Sequence, residues 1–160
     1  GQLAIYRSNV PKYAQYVFSR VDAEFAARAT AARDAGKAAI IVAGESYGQG
    51  SSREHAALCP RFLGVRAVIA RSIERIHQAN LVNFGILPLV FSDAADAEKV
   101  AQGDELELSD LLAAVAGRDV LTVRSTTRQA TFDVRLQISP RERRILLAGG
   151  VLNMGRAGRP

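Results

Sequence analysis

Between residues 38 and 91 the chain alternates three apolar runs with two segments of helical spacing, and few arrangements other than parallel strands satisfy that order. The runs cover residues 38–43, 65–70 and 86–91. Short, nearly continuous apolar stretches bounded by glycine suit strands buried on both faces. Residues 53–63 carry the first helical pattern, with Gly64 as its stop and Pro60 expected to end or kink it. The second covers residues 73–84, with Ile73, Ile76, Leu81 and Phe84 on one face and Gly85 after it. Strand, loop, helix, strand, helix, strand is the pattern of a parallel sheet with helical crossovers.

The flanks read differently. Residues 3–11 read as a short strand or edge running into a turn, and residues 21–35 as an Ala-rich helix stopped by Gly36. Residues 105–108, 120–123 and 131–138 alternate with period two, as half-exposed antiparallel strands do. Ser139-Pro140-Arg141-Glu142 is a capping box with proline at the first helical position. That helix is expected to run to about residue 147, ahead of Gly149-Gly150. The expectation is one α/β domain over residues 1–160 with a parallel and an antiparallel part, and a loose tail from 155 to 160.

Composition narrows the chemistry. No apolar run nears the ~20 residues that span a bilayer. The start, Gly1-Gln2-Leu3, has no basic region followed by an apolar one, so no secretory signal is read, and no initiator Met is present. A single cysteine, Cys59, excludes an internal disulfide and a cysteine-only metal site within the chain. It reads as a small buried hydrophobe, and a reducing compartment is the default. Net charge is +5, but the cations are scattered and only Lys12, Lys37 and Lys99 are lysines. That distribution reads as solvated surface rather than a nucleic-acid stripe.

The loop after the first apolar run carries the clearest chemical signal. Gly44, Gly48 and Gly50 are followed by Ser51, Ser52 and Arg53, between a buried strand and a helix. Glycines permit positive φ and close backbone approach to a ligand. Unpaired amides at a helix start, the helix dipole and a guanidinium fork all favour an anion. The string is neither a Walker loop nor a dinucleotide fingerprint. The same residues would also make a plain tight turn, with Ser51 or Ser52 capping the helix.

The order of residues is more specific. Gly44-Glu45-Ser46-Tyr47-Gly48-Gln49-Gly50-Ser51-Ser52-Arg53-Glu54-His55-Ala56-Ala57-Leu58 resembles the C-terminal swivel domain of the aconitase family. So do residues 63–70, Ser72-Ile73-Glu74-Arg75-Ile76-His77, Asn80-Leu81 and residues 85–89. The likeness extends upstream to residues 6–12 and 17–22, and downstream to 103–107 and 141–150. It covers nearly the whole chain.

The resemblance implies a swivelling three-layer β/β/α domain, with a parallel sheet and a smaller antiparallel one. Aconitases interconvert citrate and isocitrate through cis-aconitate. In the family a [4Fe–4S] cluster is held by three cysteines outside this domain, and the swivel domain closes over it and supplies the base. Carried over to the matching positions, the base is Ser51, with Ser52, Arg53 and Arg7 binding substrate. Gly48, Gly50, Glu54 and His55 would support the loop, and none of these residues would bind metal. A serine can remove a proton alpha to a carboxylate only if its alkoxide is stabilised by amides, a helix start and a nearby cation. A substrate with three carboxylates calls for at least two arginine forks. His77 and Asn80 are expected to hydrogen-bond within the fold, and Tyr47 to line the loop.

The expected partners are therefore cluster-bearing aconitase domains and a small tri- or dicarboxylate, with no membrane and no nucleic acid. The chain is expected to be an excised or separately expressed part of a hydro-lyase, inactive alone, in the cytoplasm by default or from a mitochondrial parent. Two alternatives stand beside this. One is the small subunit of a related hydro-lyase acting on 3-isopropylmalate or homoaconitate. The other is RNA binding, known among aconitase relatives, although no basic cluster with interleaved aromatics occurs here.

Overall fold

A strand covered on both faces can satisfy its main-chain groups only through its neighbours, and the three apolar runs do so by pairing with one another. The computed structural model describes residues 5–50 and 54–157. In chain order the elements are α1 (Val10–Ala14), α2 (Phe25–Asp34), β1 (Ala39–Ala43), α3 (His55–Leu63), β2 (Val65–Ala70), α4 (Arg75–Asn83) and β3 (Leu87–Phe91). A 3-10 turn at Ala94–Lys99 leads to β4 (Leu106–Leu108) and α5 (Leu111–Ala113), which continues into a π turn at Ala114–Arg118. β5 (Val120–Ser125), β6 (Ala130–Arg135), α6 (Pro140–Leu147) and α7 (Val151–Ala157) follow.

β1 and β3 flank β2 in parallel, and β6, β5 and β4 form an antiparallel set. The two sets are joined by two residue pairs, Val90↔Arg135 and Phe91↔Val134. The result is one mixed sheet in the order β1-β2-β3-β6-β5-β4. Both the parallel and the antiparallel part expected from the sequence are present.

Side-chain periodicity builds the core on both faces. On β2, Ala67 and Ile69 face one cluster while Val68 and Ala70 face another. The first cluster holds both halves of the sheet together, with Leu89 and Phe91 packed against Leu121, Val123, Phe132 and Val134. The second lies under α3 and α4, through Ala57, Leu81 and Ile86. A third joins α1, α2 and α3 through Ala14, Ala26, Ala29, Cys59 and Leu63. Each large apolar side chain so buried contributes about 1.5–3 kcal/mol.

Three expectations are corrected. Residues 5–11 are not a strand: a 3-10 turn precedes α1, whose start is capped by Asn9 accepting from the Lys12 amide at 3.1 Å. Asn9 followed by Pro11 is a helix start signal that overrides the apolar alternation around it. Pro60 does not end α3, which continues to Leu63 and closes at Gly64 with φ +105°. Cys59, Pro60 and Leu63 form its buried face, and that packing offsets the missing N–H. The tail is helical further than expected, to Ala157.

Candidate functional site

The loop that leaves β1 prolongs the pairing of β1 with β2 beyond the strand ends. The Arg71 amide donates to the Gly44 carbonyl at 3.2 Å, and the Tyr47 amide to the Ser72 carbonyl at 2.9 Å. The Glu74 amide donates back to the Tyr47 carbonyl at 2.9 Å, so Tyr47 and Ile73 form an isolated parallel bridge. The Ser72 hydroxyl accepts from the Ser46 amide at 2.7 Å and donates to the Glu45 carboxylate at 2.8 Å. Residues 44–47 of the loop are thereby tied to the β2–α4 connection.

Its glycines have distinct causes. Gly48 (φ +90°) lies against the His77 ring, and a Cβ there would overlap it. Among the described residues nothing lies within 4 Å of a Cβ placed at Gly50, and its φ of +117° is what asks for glycine there. The Tyr47 ring meets the His77 ring edge-on, with centroids 5.1 Å apart, and burial pushes the Tyr47 hydroxyl up to about 12. His77 is only 5% exposed, and burial holds its imidazole below the ordinary value. Its Nε2 has no hydrogen-bond partner among the described residues.

α3 begins at His55, with Glu54 at the N-cap position and no capping bond from its side chain. Ser51 and Ser52, which the plain-turn alternative made the caps of this helix, lie outside the described residues. The Glu54 carbonyl accepts from the amides of Ala57 and Leu58 at 2.9 and 2.8 Å, and the side chain is exposed. His55 is half-buried and packs against the Tyr13 ring, with centroids 5.5 Å apart. Its Nε2 lies 3.0 Å from the Arg7 carbonyl. A carbonyl can only accept, so the proton is on Nε2. This contact brings the segment bearing Arg7, whose side chain is exposed, to the start of α3.

Of the residues singled out in the sequence, Arg7, Glu54 and His55 meet at the α3 start, and Gly48 meets His77. Ser51, Ser52 and Arg53 lie outside the described residues. Ser72 was not singled out as a support. It belongs to the Ser72-to-His77 string quoted above, but what it does depends on a loop 26 positions earlier.

One cysteine cannot supply three thiolates, and Cys59 is 3% exposed with its thiol pushed up to about 11 by burial. Among the described residues no group of three or more His, Cys, Asp or Glu is placed to hold a metal ion. These residues do not fit a [4Fe–4S] cluster. Among them, too, no helix is long and apolar enough to cross a membrane. A polar depression of about 360 Å³ lies elsewhere, lined by Asp93, Asp96, Asp133 and Lys99 among others. Its charges are internally paired in part, with Lys99 at 2.6 Å from Asp96.

Comparison with known proteins shows what the chain is similar to. A family model described as the aconitase C-terminal domain matches residues 4–94. The mitochondrial aconitate hydratase of Candida albicans is 48% identical over 93 residues, 58% of this chain and 12% of that protein. A probable mitochondrial aconitate hydratase of Dictyostelium discoideum is 38% identical over 126 residues, 76% of this chain and 16% of that one. The mitochondrial homocitrate dehydratase of Saccharomyces cerevisiae is 44% identical over 81 residues, 51% of this chain and 10% of that one. The chain thus spans a small fraction of the length of these curated relatives. The crystal structure of a 3-isopropylmalate dehydratase from Methanocaldococcus jannaschii superposes with a TM-score of 0.71 at 28% identity, covering 93% of this chain and 78% of that one.

Proposed function

The chain belongs to the aconitase C-terminal domain family, and from that premise we propose that it is the substrate-binding and base-donating domain of an aconitate hydratase. It interconverts citrate and isocitrate through cis-aconitate when combined with cluster-bearing domains, and is inactive alone. The cluster belongs to those other domains, since this chain lacks the donors for it.

In this reading Arg7 and Arg53 grip substrate carboxylates through their guanidinium forks, and Ser52 adds a hydroxyl to the same anchoring. The Ser51 oxygen takes the proton alpha to a carboxylate. The C–H electron pair becomes the new C=C bond, and the neighbouring hydroxyl leaves with its own bonding pair as hydroxide, which would be taken up on the side of the cluster-bearing domains; with the proton on Ser51, the sum is the loss of one water. In the reverse direction Ser51 returns the proton. Gly48 and Gly50 let the loop approach the substrate closely, and Glu54 and His55 support it at the α3 start.

The observation that supports this most is the Arg7–His55 hydrogen bond, which joins the segment of the proposed carboxylate-binding arginine to the helix that follows the Ser-Ser-Arg string. A chain with one buried thiol suits a reducing compartment, cytoplasm or mitochondrial matrix.

One observation favours a second reading. The 3-isopropylmalate dehydratase structure matches 93% of the chain and is itself covered to 78%, as a free-standing small subunit of a related hydro-lyase would be. Mixing the chain with a cluster-bearing aconitase partner and following citrate and 3-isopropylmalate in parallel separates the two. Turnover of citrate supports the first reading, and turnover of 3-isopropylmalate alone replaces it with the second.

A further inference from the structure

The ties between the 44–50 loop and the β2–α4 connection are main-chain and hydroxyl hydrogen bonds, except at Gly48. There the loop rests on a side chain. A Cβ at position 48 would overlap His77 at Cβ, Cγ and Cδ2, so glycine is required by contact as well as by its φ of +90°. The preceding residue, Tyr47, stands edge-on to the same ring at 5.1 Å and 67°. Two consecutive loop residues are therefore seated on one imidazole that is 5% exposed. The contact is made by ring and Cβ carbons, while Nε2 has no partner among the described residues. Toward the described residues of the loop, what His77 offers is shape.

We propose that His77 is a positioning residue for the reaction, its ring forming the seat on which Tyr47 and Gly48 set the loop that delivers the Ser51 hydroxyl. This rests on the reading of Ser51 as the base. Only Gln49 and Gly50 separate Gly48 from Ser51 along the chain. A misplacement of about 1 Å in a reacting group can cost about 100-fold in rate.

The test compares His77→Ala with His77→Phe in the full enzyme, including its cluster-bearing domains. Two quantities are read: kcat/KM per folded enzyme, and deuterium uptake by peptides covering residues 44–50. His77→Ala is expected to lose about 100-fold in kcat/KM and to raise uptake in the loop but not in β5 or β6. His77→Phe restores a flat ring and is expected to stay close to the parent in both. Parent-like kinetics or parent-like loop uptake in His77→Ala overturns the proposal. So does a His77→Phe enzyme that fails as His77→Ala does, since the role would then lie with the nitrogens. Should His77→Ala not fold, His77→Leu keeps an apolar side chain in α4 without the flat ring. It is expected to move both readouts in the same direction, and parent-like values there overturn the proposal. Ser51→Ala measured alongside keeps the claims apart: an active Ser51→Ala enzyme removes the reading of the base, while loop uptake in the His77 variants still reports the seat.

Discussion

The His55 imidazole donates its Nε2 proton to the main-chain carbonyl of Arg7 at 3.0 Å, joining residues 48 positions apart. The family resemblance singles out Arg7 among the exposed arginines of a basic chain, and this contact gives it a place in the fold. The hydrogen bond fixes its backbone beside the helix that follows Ser51, Ser52 and Arg53. His55→Ala is expected to cost the chain about 1 kcal/mol, the net worth of such a bond. In the assembled enzyme KM is expected to rise more than kcat falls, because Arg7 is assigned to binding. Urea unfolding and steady-state kinetics check this, and an unchanged KM would detach Arg7 from the site.

Much of the parallel part was legible in the sequence because its signals are local. β2 was read at both ends, residues 65–70, as an apolar run that follows Gly64. The capping box at Ser139 was readable for the same reason: the Ser139 amide donates to Glu142 at 2.7 Å and the Glu142 amide to the Ser139 hydroxyl at 3.3 Å. Residues 5–11 misled because alternation and a helix start compete within one short stretch. The turn at 94–99, α5 and α7 were not assigned, being short elements held by tertiary packing. In the site, the family resemblance named Arg7 and His55 but not their contact. The roles of Ser72 and His77 depend on a loop brought to them by the β1–β2 pairing, which no local pattern encodes.

Burial of His77 gives stability a specific pH dependence. The folded imidazole titrates below its ordinary value of 6.5, because charging it requires desolvation. Between the folded and unfolded values the unfolded chain binds the extra proton. Stability therefore rises with pH across that window, and falls as pH drops from neutral through the unfolded value. Asp22 and Glu105 are held low by hydrogen bonds from Arg28 and Lys37, so their contributions fade only at more acid pH. Urea midpoints measured at about pH 7.5 and about pH 5.5 are expected to fall with acid in the parent chain, and to fall less in His77→Phe. An equal fall in both would contradict the assignment.

The lone thiol gives a direct check on the α1–α2–α3 packing. Cys59 lies in the cluster with Ala14, Ala26, Ala29 and Leu63, and its thiol is pushed up to about 11. At neutral pH only about one molecule in 10⁴ then carries the thiolate. A chromogenic disulfide reagent is expected to react slowly with the native chain, and to label one equivalent rapidly in urea. Fast labelling under native conditions would show that this cluster opens or is packed differently.

The central claim is that the oxygen of residue 51 removes the proton from the substrate, and Ser51→Ala in the full enzyme tests it most directly. With citrate as substrate, kcat is expected to fall by about 10²–10⁴-fold, the usual contribution of a positioned base. KM is expected to change little, because Arg7, Ser52 and Arg53 remain to hold the carboxylates. A Ser51→Ala enzyme that turns over citrate at the parent rate would contradict the account.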